Sequence, residues 1–183
     1  TAMTASPHPE HVVLLDEDRT PIGSELKSAV HHERTPLHLA FSCWVLDDDG
    51  RTLLTRRALG KRTWPGVWTN AFCGHPGPGE EMSRAVRRRA DQELGLELAE
   101  LQEVVPDFAY RAADASGVVE NEFCPVWTAR AVSRPAPRPD EVMDLAWVRP
   151  ADLVRAAEAV PQLLSPWLVE ELAQARLRTA LGW

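Results

Sequence analysis

The chain has 183 residues, 44% of them apolar, and a formal net charge of −7. That is long enough for one domain with its own core and too apolar for a disordered chain. The acidic balance argues against a nucleic-acid partner, and no apolar run has the length of a membrane span, so neither partner is expected.

Residues 1–9, rich in Thr, Ser and Pro, read as a flexible tail ahead of a single domain over 10–183. HVVLLD (His11–Asp16) predicts a short strand and LHLAFSCWVLD (Leu37–Asp47) a longer one. DDDG at Asp47–Gly50 is a hairpin turn and RTLLTRRA the returning strand. WPGVWTN, broken by Pro65 and Gly66, reads as a loop, and so does the glycine-rich stretch Gly74–Gly79. Glu80–Leu96 has helical spacing, with Met82, Val86, Ala90 and Leu94 on one stripe and a stop at Gly95. LQEVVPDFAYRA predicts a strand, DASG a turn, VVENEFCPVWTARAV a second long strand, Ser133–Glu141 a proline-rich loop and VMDLAWV another strand. PADLVRAAEA starts a helix with Pro150 early in it. SPWLVEELAQARLRTAL closes with another, where Ser165 can cap and Pro166 sits in the first turn. Strands interspersed with helices give a mixed α/β fold with helices on both faces of the sheet.

Several residues carry chemistry. Three cysteines, Cys43, Cys73 and Cys124, form no C-x2-C pair; the odd count points to a reducing, cytoplasmic setting and away from a zinc finger. Cationic clusters at Arg56, Arg57, Lys61, Arg62 and at Arg87–Arg89 suit a small anionic ligand. Glu120 and Glu122 stand two apart, on one face of a strand. Buried together they repel, and a divalent cation between them removes that cost. His31, His38 and His75 add imidazoles, giving a mixed N/O set suited to Mg²⁺, Mn²⁺ or Zn²⁺. His32 competes with His31, and spacing does not choose between them.

From Gly74 the chain runs five residues to Glu80, seven more to Arg88, then Glu93, Gly95 and Leu96. That is the register of a Nudix box, with Arg89 and Gln92 where the box has glutamates. A Nudix hydrolase uses those carboxylates to hold cations, so their replacement disfavours hydrolysis, while Arg89 becomes free to grip a phosphate. HLAFS, TRRALGK, WPGVWTN, CGHP, PDFAYRA, VENEFCPV and DEVM follow in order. Together they resemble the type I isopentenyl-diphosphate Δ-isomerases, a Nudix-fold family, over roughly residues 11–170.

The resemblance implies a mixed β-sheet sandwiched between α-helices. It implies that Cys73 and Glu122 are catalytic, with Tyr110 nearby. It selects His31 over His32 and gives a metal site of His31, His38, His75, Glu120 and Glu122. Lys27, Arg57, Lys61 and Arg89 would bind the diphosphate, Trp167 would face the hydrocarbon end, and Glu93 would help hold a second Mg²⁺ carried in with the diphosphate. The substrate would be a small prenyl diphosphate, the protein a monomer, and no flavin is implied. Cys43 takes no role and Cys124 belongs to the core. Two readings compete. A Nudix diphosphate hydrolase is opposed by Arg89 and Gln92. A silent binding module is opposed by the retention of Cys73, Glu122 and the whole metal set.

Overall fold

Phe41–Leu46 is buried along nearly its whole length, as a strand covered on both faces should be. Successive side chains point to opposite faces. Phe41, Cys43 and Val45 join one core, and Trp44 joins the other. The computed structural model describes residues 9–183; the expected tail lies outside the described residues except for Pro9.

In chain order the elements are β1 (His11–Leu15), β2 (Pro21–Leu26), α1 (Lys27–Val30), β3 (His38–Leu39), β4 (Phe41–Leu46), β5 (Thr52–Arg57), β6 (Trp68–Thr69), β7 (Phe72–Gly74) and α2 (Met82–Leu94). Then come β8 (Leu98–Val105), β9 (Ala109–Ala113), β10 (Val119–Phe123), β11 (Val126–Ala131), β12 (Val142–Val148), α3 (Pro150–Ala159), α4 (Pro166–Leu172) and α5 (Ala175–Ala180). One sheet has the order β2-β1-β3-β10-β9. The other runs β12-β5-β4-β11-β8, with β6 added to β5 and β7 to β4. The β3–β10 and β4–β11 pairs are parallel and the rest antiparallel, so the fold is mixed as expected.

Helix α2 covers one face through Ala85, Val86, Ala90 and Leu94. On the opposite face Leu153, Val154, Leu168, Leu172 and Leu177 from α3, α4 and α5 pack around Trp44. Each such fully buried aliphatic side chain contributes about 1.5–3 kcal/mol.

Three expected single strands are each two. Leu37–Asp47 breaks at Ala40, LQEVVPDFAYRA at Pro106–Phe108, and VVENEFCPVWTARAV at Cys124–Pro125. The cause is tertiary: at these points the chain passes from one sheet to the other. The pairing is carried through the bends by Ala40 N–H to Phe123 O (2.9 Å), Ser42 N–H to Pro125 O (3.1 Å) and Cys124 N–H to Phe108 O (2.8 Å). WPGVWTN, expected as loop, ends in β6, which gains a ladder partner in β5. Gly74, also expected in a loop, ends β7 against β4. The closing helix divides at Ala173–Gln174 into α4 and α5. Ser165 caps α4 as expected, accepting from Leu168 N–H at 3.3 Å. Gly95 ends α2 in the left-handed region, at φ +55°, where glycine pays no Cβ penalty.

Candidate active site

Parallel pairing places Glu122 opposite His38, and antiparallel pairing places it opposite Tyr110. Glu120, two residues earlier, presents its carboxylate on the same face. His31 Nε2 is 3.6 Å from Glu120 Oε2 and 3.6 Å from Glu122 Oε1. The segment after α1 is tied to β10, because Val119 N–H donates to His32 O at 2.9 Å and Asn121 Nδ2 to Thr35 O at 3.2 Å. His31 is thereby buried beside the two carboxylates, and His32 is exposed.

His75 follows β7 and brings Nε2 to 3.1 Å from Glu122 Oε1. Its loop is clasped by Arg88 of α2 and by Glu80, which precedes that helix. Arg88 donates to His75 O at 3.1 Å and to Glu80 Oε1 at 2.8 Å, and Gly77 N–H donates to the same oxygen at 3.1 Å. Gly74, between Cys73 and His75, has no room for a side chain. A Cβ there would lie 2.6 Å from Arg89 Cγ and 2.6 Å from Phe41 Cζ.

His31, His38, His75 and Glu122 each offer a ligand atom within 4.8 Å of the others. His38 Nδ1 lies 2.9 Å from Pro36 O, so it carries the proton and Nε2 keeps its lone pair. That Nε2 is buried without a hydrogen-bond partner, 3.3 Å from Glu122 Oε1. Two acceptors at that range need a cation or a proton between them, and the N/O donor set fits a divalent metal. The charge balance says the same. Burial works against a charge on His31, yet Glu120 and Glu122 overcome it and raise its pKa to about 9. Burial takes His75 down to about 3 despite Glu122. Burial and the neighbouring Glu122 push Glu120 up.

Glu120 also accepts from Thr63 Oγ1 at 2.6 Å and from Tyr110 OH at 3.1 Å. Burial and Glu120 hold the Tyr110 phenol well above its ordinary value, so it remains a donor.

The Cys73 side is organised by Asn70. Its Nδ2 donates to Ser42 Oγ (2.8 Å), Cys43 O (2.9 Å) and Phe72 O (3.2 Å). The two carbonyls fix which end of the amide is nitrogen. Its Oδ1 accepts from Thr69 Oγ1 (3.0 Å) and Trp167 Nε1 (3.2 Å). Cys73 Sγ lies 3.5 Å from Ser42 Oγ and 3.7 Å from Asn70 Oδ1. Burial, reinforced by Glu171, pushes its thiol well above the usual range. Trp167, pinned by its edge, meets Tyr110 at 5.8 Å and Trp64 at 5.4 Å between ring centroids.

A cavity of about 500 Å³ is lined by Cys73, His31, His75, Tyr110, Glu120, Glu122 and Trp167, and also by Lys27, Arg57, Lys61, Arg89 and Glu93. The cations are all engaged. Lys27 Nζ is 3.0 Å from Glu10 Oε2. Arg57 Nε donates to Thr63 O at 3.0 Å, and Arg57 Cζ lies 5.4 Å from the Trp167 ring centre. Lys61 pairs with Glu141, and Arg89 pairs with Glu93 and, at 3.5 Å, with Glu141. Glu93 stands apart from the His/Glu cluster, on the cationic side. Sequence reasoning missed Thr63, Asn70, Glu141 and Glu171. Thr63 and Asn70 flank the Trp-rich loop, and polar residues bracketing so apolar a stretch were the available signal.

Residues 36–168 match the NUDIX domain family. A Kocuria rhizophila protein named isopentenyl-diphosphate Delta-isomerase is 59% identical over 180 residues, covering 98% of this chain and 100% of its own. One of the same name from Agromyces mediolanus is 62% identical over 173 residues, covering 94% and 82%. The chain belongs to the isopentenyl-diphosphate Δ-isomerases of the Nudix family. A crystal structure from Deinococcus radiodurans shares its fold at a TM-score of 0.70 and 21% identity, over 90% of this chain and 98% of that one. A Burkholderia pseudomallei MutT NUDIX hydrolase matches at a TM-score of 0.58 and 25% identity, over 76% and 98%. In the box helix of this chain Arg89 pairs with Glu93. Among the described residues no helix is long and apolar enough to cross a membrane.

Proposed function

We propose that the chain interconverts isopentenyl diphosphate and dimethylallyl diphosphate, adding a proton at C4 and removing one at C2, with Cys73 and Glu122 as the proton-transfer pair. The observation that supports this reading is a single cavity lined by the Cys73 thiol, the Glu120/Glu122 carboxylate pair, the cationic side chains of Lys27, Arg57, Lys61, Arg62 and Arg89, and the Trp167 ring. An unactivated alkene is a weak base, so it needs a positioned acid and a partner base. The reaction runs both ways, and each of the two groups therefore gives a proton in one direction and takes one in the other.

Lys27, Arg57, Lys61 and Arg89 bind the diphosphate by charge-assisted hydrogen bonds, Lys27, Lys61 and Arg89 exchanging carboxylate partners for phosphate oxygens, and so hold the reacting carbons still. The Trp167 face stabilises positive charge at the branched carbon by about 0.5–2 kcal/mol. Tyr110 and Thr63 hold Glu120 and so fix the carboxylate pair. The packed tryptophans exclude water, which would otherwise capture the cation. His31, His38, His75, Glu120 and Glu122 would hold a divalent cation (Mg²⁺, Mn²⁺ or Zn²⁺), whose charge allows two buried carboxylates to stay ionised side by side. Glu93 would help hold a second Mg²⁺ arriving with the diphosphate.

The test is NMR of the protein with isopentenyl diphosphate and Mg²⁺ in D₂O, following ¹H and ³¹P. Deuterated dimethylallyl diphosphate with the diphosphate intact is the expected product. Released phosphate would establish hydrolysis instead.

A further inference from the structure

Glu141 is a carboxylate that the proposed reaction leaves unused, yet it lines the same cavity as Cys73 and Glu122. It closes the proline-rich loop ahead of β12. Strand pairing puts it there: Val142 lies opposite Arg57, and Ala58 N–H donates to Glu141 O at 3.0 Å. The loop therefore ends against the stretch that leads from β5 to Lys61. Glu93 arrives from α2.

Lys61, Arg89, Glu93 and Glu141 form a closed ring of alternating charge. Lys61 Nζ contacts Glu141 Oε2 and, at 3.7 Å, Glu93 Oε1. Arg89 Nη2 contacts the same Glu93 Oε1 and, at 3.5 Å, the same Glu141 Oε2. Two carboxylate oxygens from distant parts of the chain thus sit on two of the cations that a diphosphate would use. Arg89 is only 5% exposed, and its Nε is buried without a hydrogen-bond partner. Donor capacity toward a further anion therefore remains even in the closed ring. Glu141 is the most exposed member, its side chain 24% accessible against 8% for Glu93. It stands at the end of a loop rather than within a helix, so it is the carboxylate an entering anion displaces.

Charge decides what can enter. Outside the His/Glu cluster the cavity has five cationic side chains against the three carboxylates of Glu10, Glu93 and Glu141, an excess of two positive charges. A prenyl diphosphate carries more negative charge than that excess. Once it takes Lys61 and Arg89, Glu93 and Glu141 face it without counter-charge, in a part-buried place where an unpaired charge is costly. A divalent cation carried by the diphosphate restores the balance. With residue 141 neutral, the cavity needs that help less.

We propose that Glu141 is a specificity-determining residue. It holds, between Lys61 and Arg89, the place of a phosphate oxygen, and so makes the cavity accept a diphosphate as its divalent-cation complex and refuse the bare anion. The inference rests on this cavity being the diphosphate site.

The test is calorimetric titration with inorganic pyrophosphate, with and without excess Mg²⁺, of protein whose His/Glu site has first been loaded with Zn²⁺. Pyrophosphate probes the anion site without turnover. In the wild type Mg²⁺ tightens its binding about 100-fold, a usual size for coupling between two ligands. E141Q keeps the shape and an acceptor for Lys61. It binds bare pyrophosphate about tenfold more tightly than the wild type does, and Mg²⁺ then adds only about tenfold. E141A, which removes the charge with the rest of the group, repeats that result, so a folding failure of one variant, seen in a thermal melt, leaves the other to decide. E141D keeps the charge and the full Mg²⁺ effect. An unchanged Mg²⁺ effect in the neutral variants overturns the proposal. So does an equal loss of affinity with and without Mg²⁺, which would make Glu141 only a brace for Lys61 and Arg89. Failure of the wild type to bind pyrophosphate even with Mg²⁺ defeats the diphosphate reading of the cavity and this proposal with it, whereas Mg²⁺-dependent binding indifferent to residue 141 defeats this proposal alone.

Discussion

On the Cys73 side of the cavity, both ends of the Asn70 amide are fully engaged and Trp167 and Ser42 are held by it. On the Glu122 side, His31 Nε2, His38 Nε2 and His75 Nδ1 are buried without hydrogen-bond partners. Buried polar atoms are nearly always satisfied. Around Asn70 the Cys73 wall is therefore satisfied by the chain's own neutral groups. The other converges on positive charge that must come from a proton or a cation. A reaction that needs both a dry apolar pocket and ionised carboxylates requires this division.

The sharpest way to break the comparison is to change one reactive group on each wall. C73A should lose about 10³-fold in kcat with metal content unchanged, whereas Glu122→Gln should lose turnover and metal together. Turnover by NMR and metal by atomic emission after dialysis check this; loss of metal in C73A would merge the two walls into one site. Next in size is chelation. Saturating metal at about 100 times Kd stabilises a folded protein by about 3 kcal/mol, so EDTA should lower Tm by several degrees in the wild type and in C73A but not in His38→Ala. An equal drop in all three, read by calorimetry, would place the metal elsewhere.

A third effect belongs to the neutral wall. Glu171 holds its proton to about pH 8 in the fold against 4.5 ordinarily. Its contribution to stability is thus fully present below pH 4.5 and falls by up to about 1.4 kcal/mol per pH unit up to 8. E171Q should flatten that part of the stability profile in urea titrations at pH 5 and 7.5. An unchanged slope would mean that Glu171 is ionised. The smallest effect is on Glu120: Thr63→Val removes the 2.6 Å bond and should cost about 1–3 kcal/mol, seen as a lower urea midpoint with C73 chemistry intact.

What was legible in the sequence was local. Glu120 and Glu122 share a face because the strand period is two. Arg88 is placed by helix spacing, and Gly95 by the geometry of a helix end. The strand breaks at Ala40 and Pro125 were not legible, because they mark where two adjacent strands change sheets together. His31 and His32 are equivalent until the backbone of β10 claims His32 O. The Trp44–Glu171 bond joins residues 127 apart, and no local pattern announces it. The remaining site residues came from ordered motifs whose resemblance carries tertiary information that a single chain's periodicity does not.

Helix α4 carries both Trp167 and Glu171, while every member of the His/Glu cluster lies at or before Glu122. A ribosome delivers these parts in that order. A nascent chain that has reached β10 but not α4 would possess the charged floor of the site without the cover over Cys73. Water would reach any tertiary cation formed there and trap it as an alcohol. The helix that shields Cys73 thus enters the chain only after every member of the His/Glu cluster is already present.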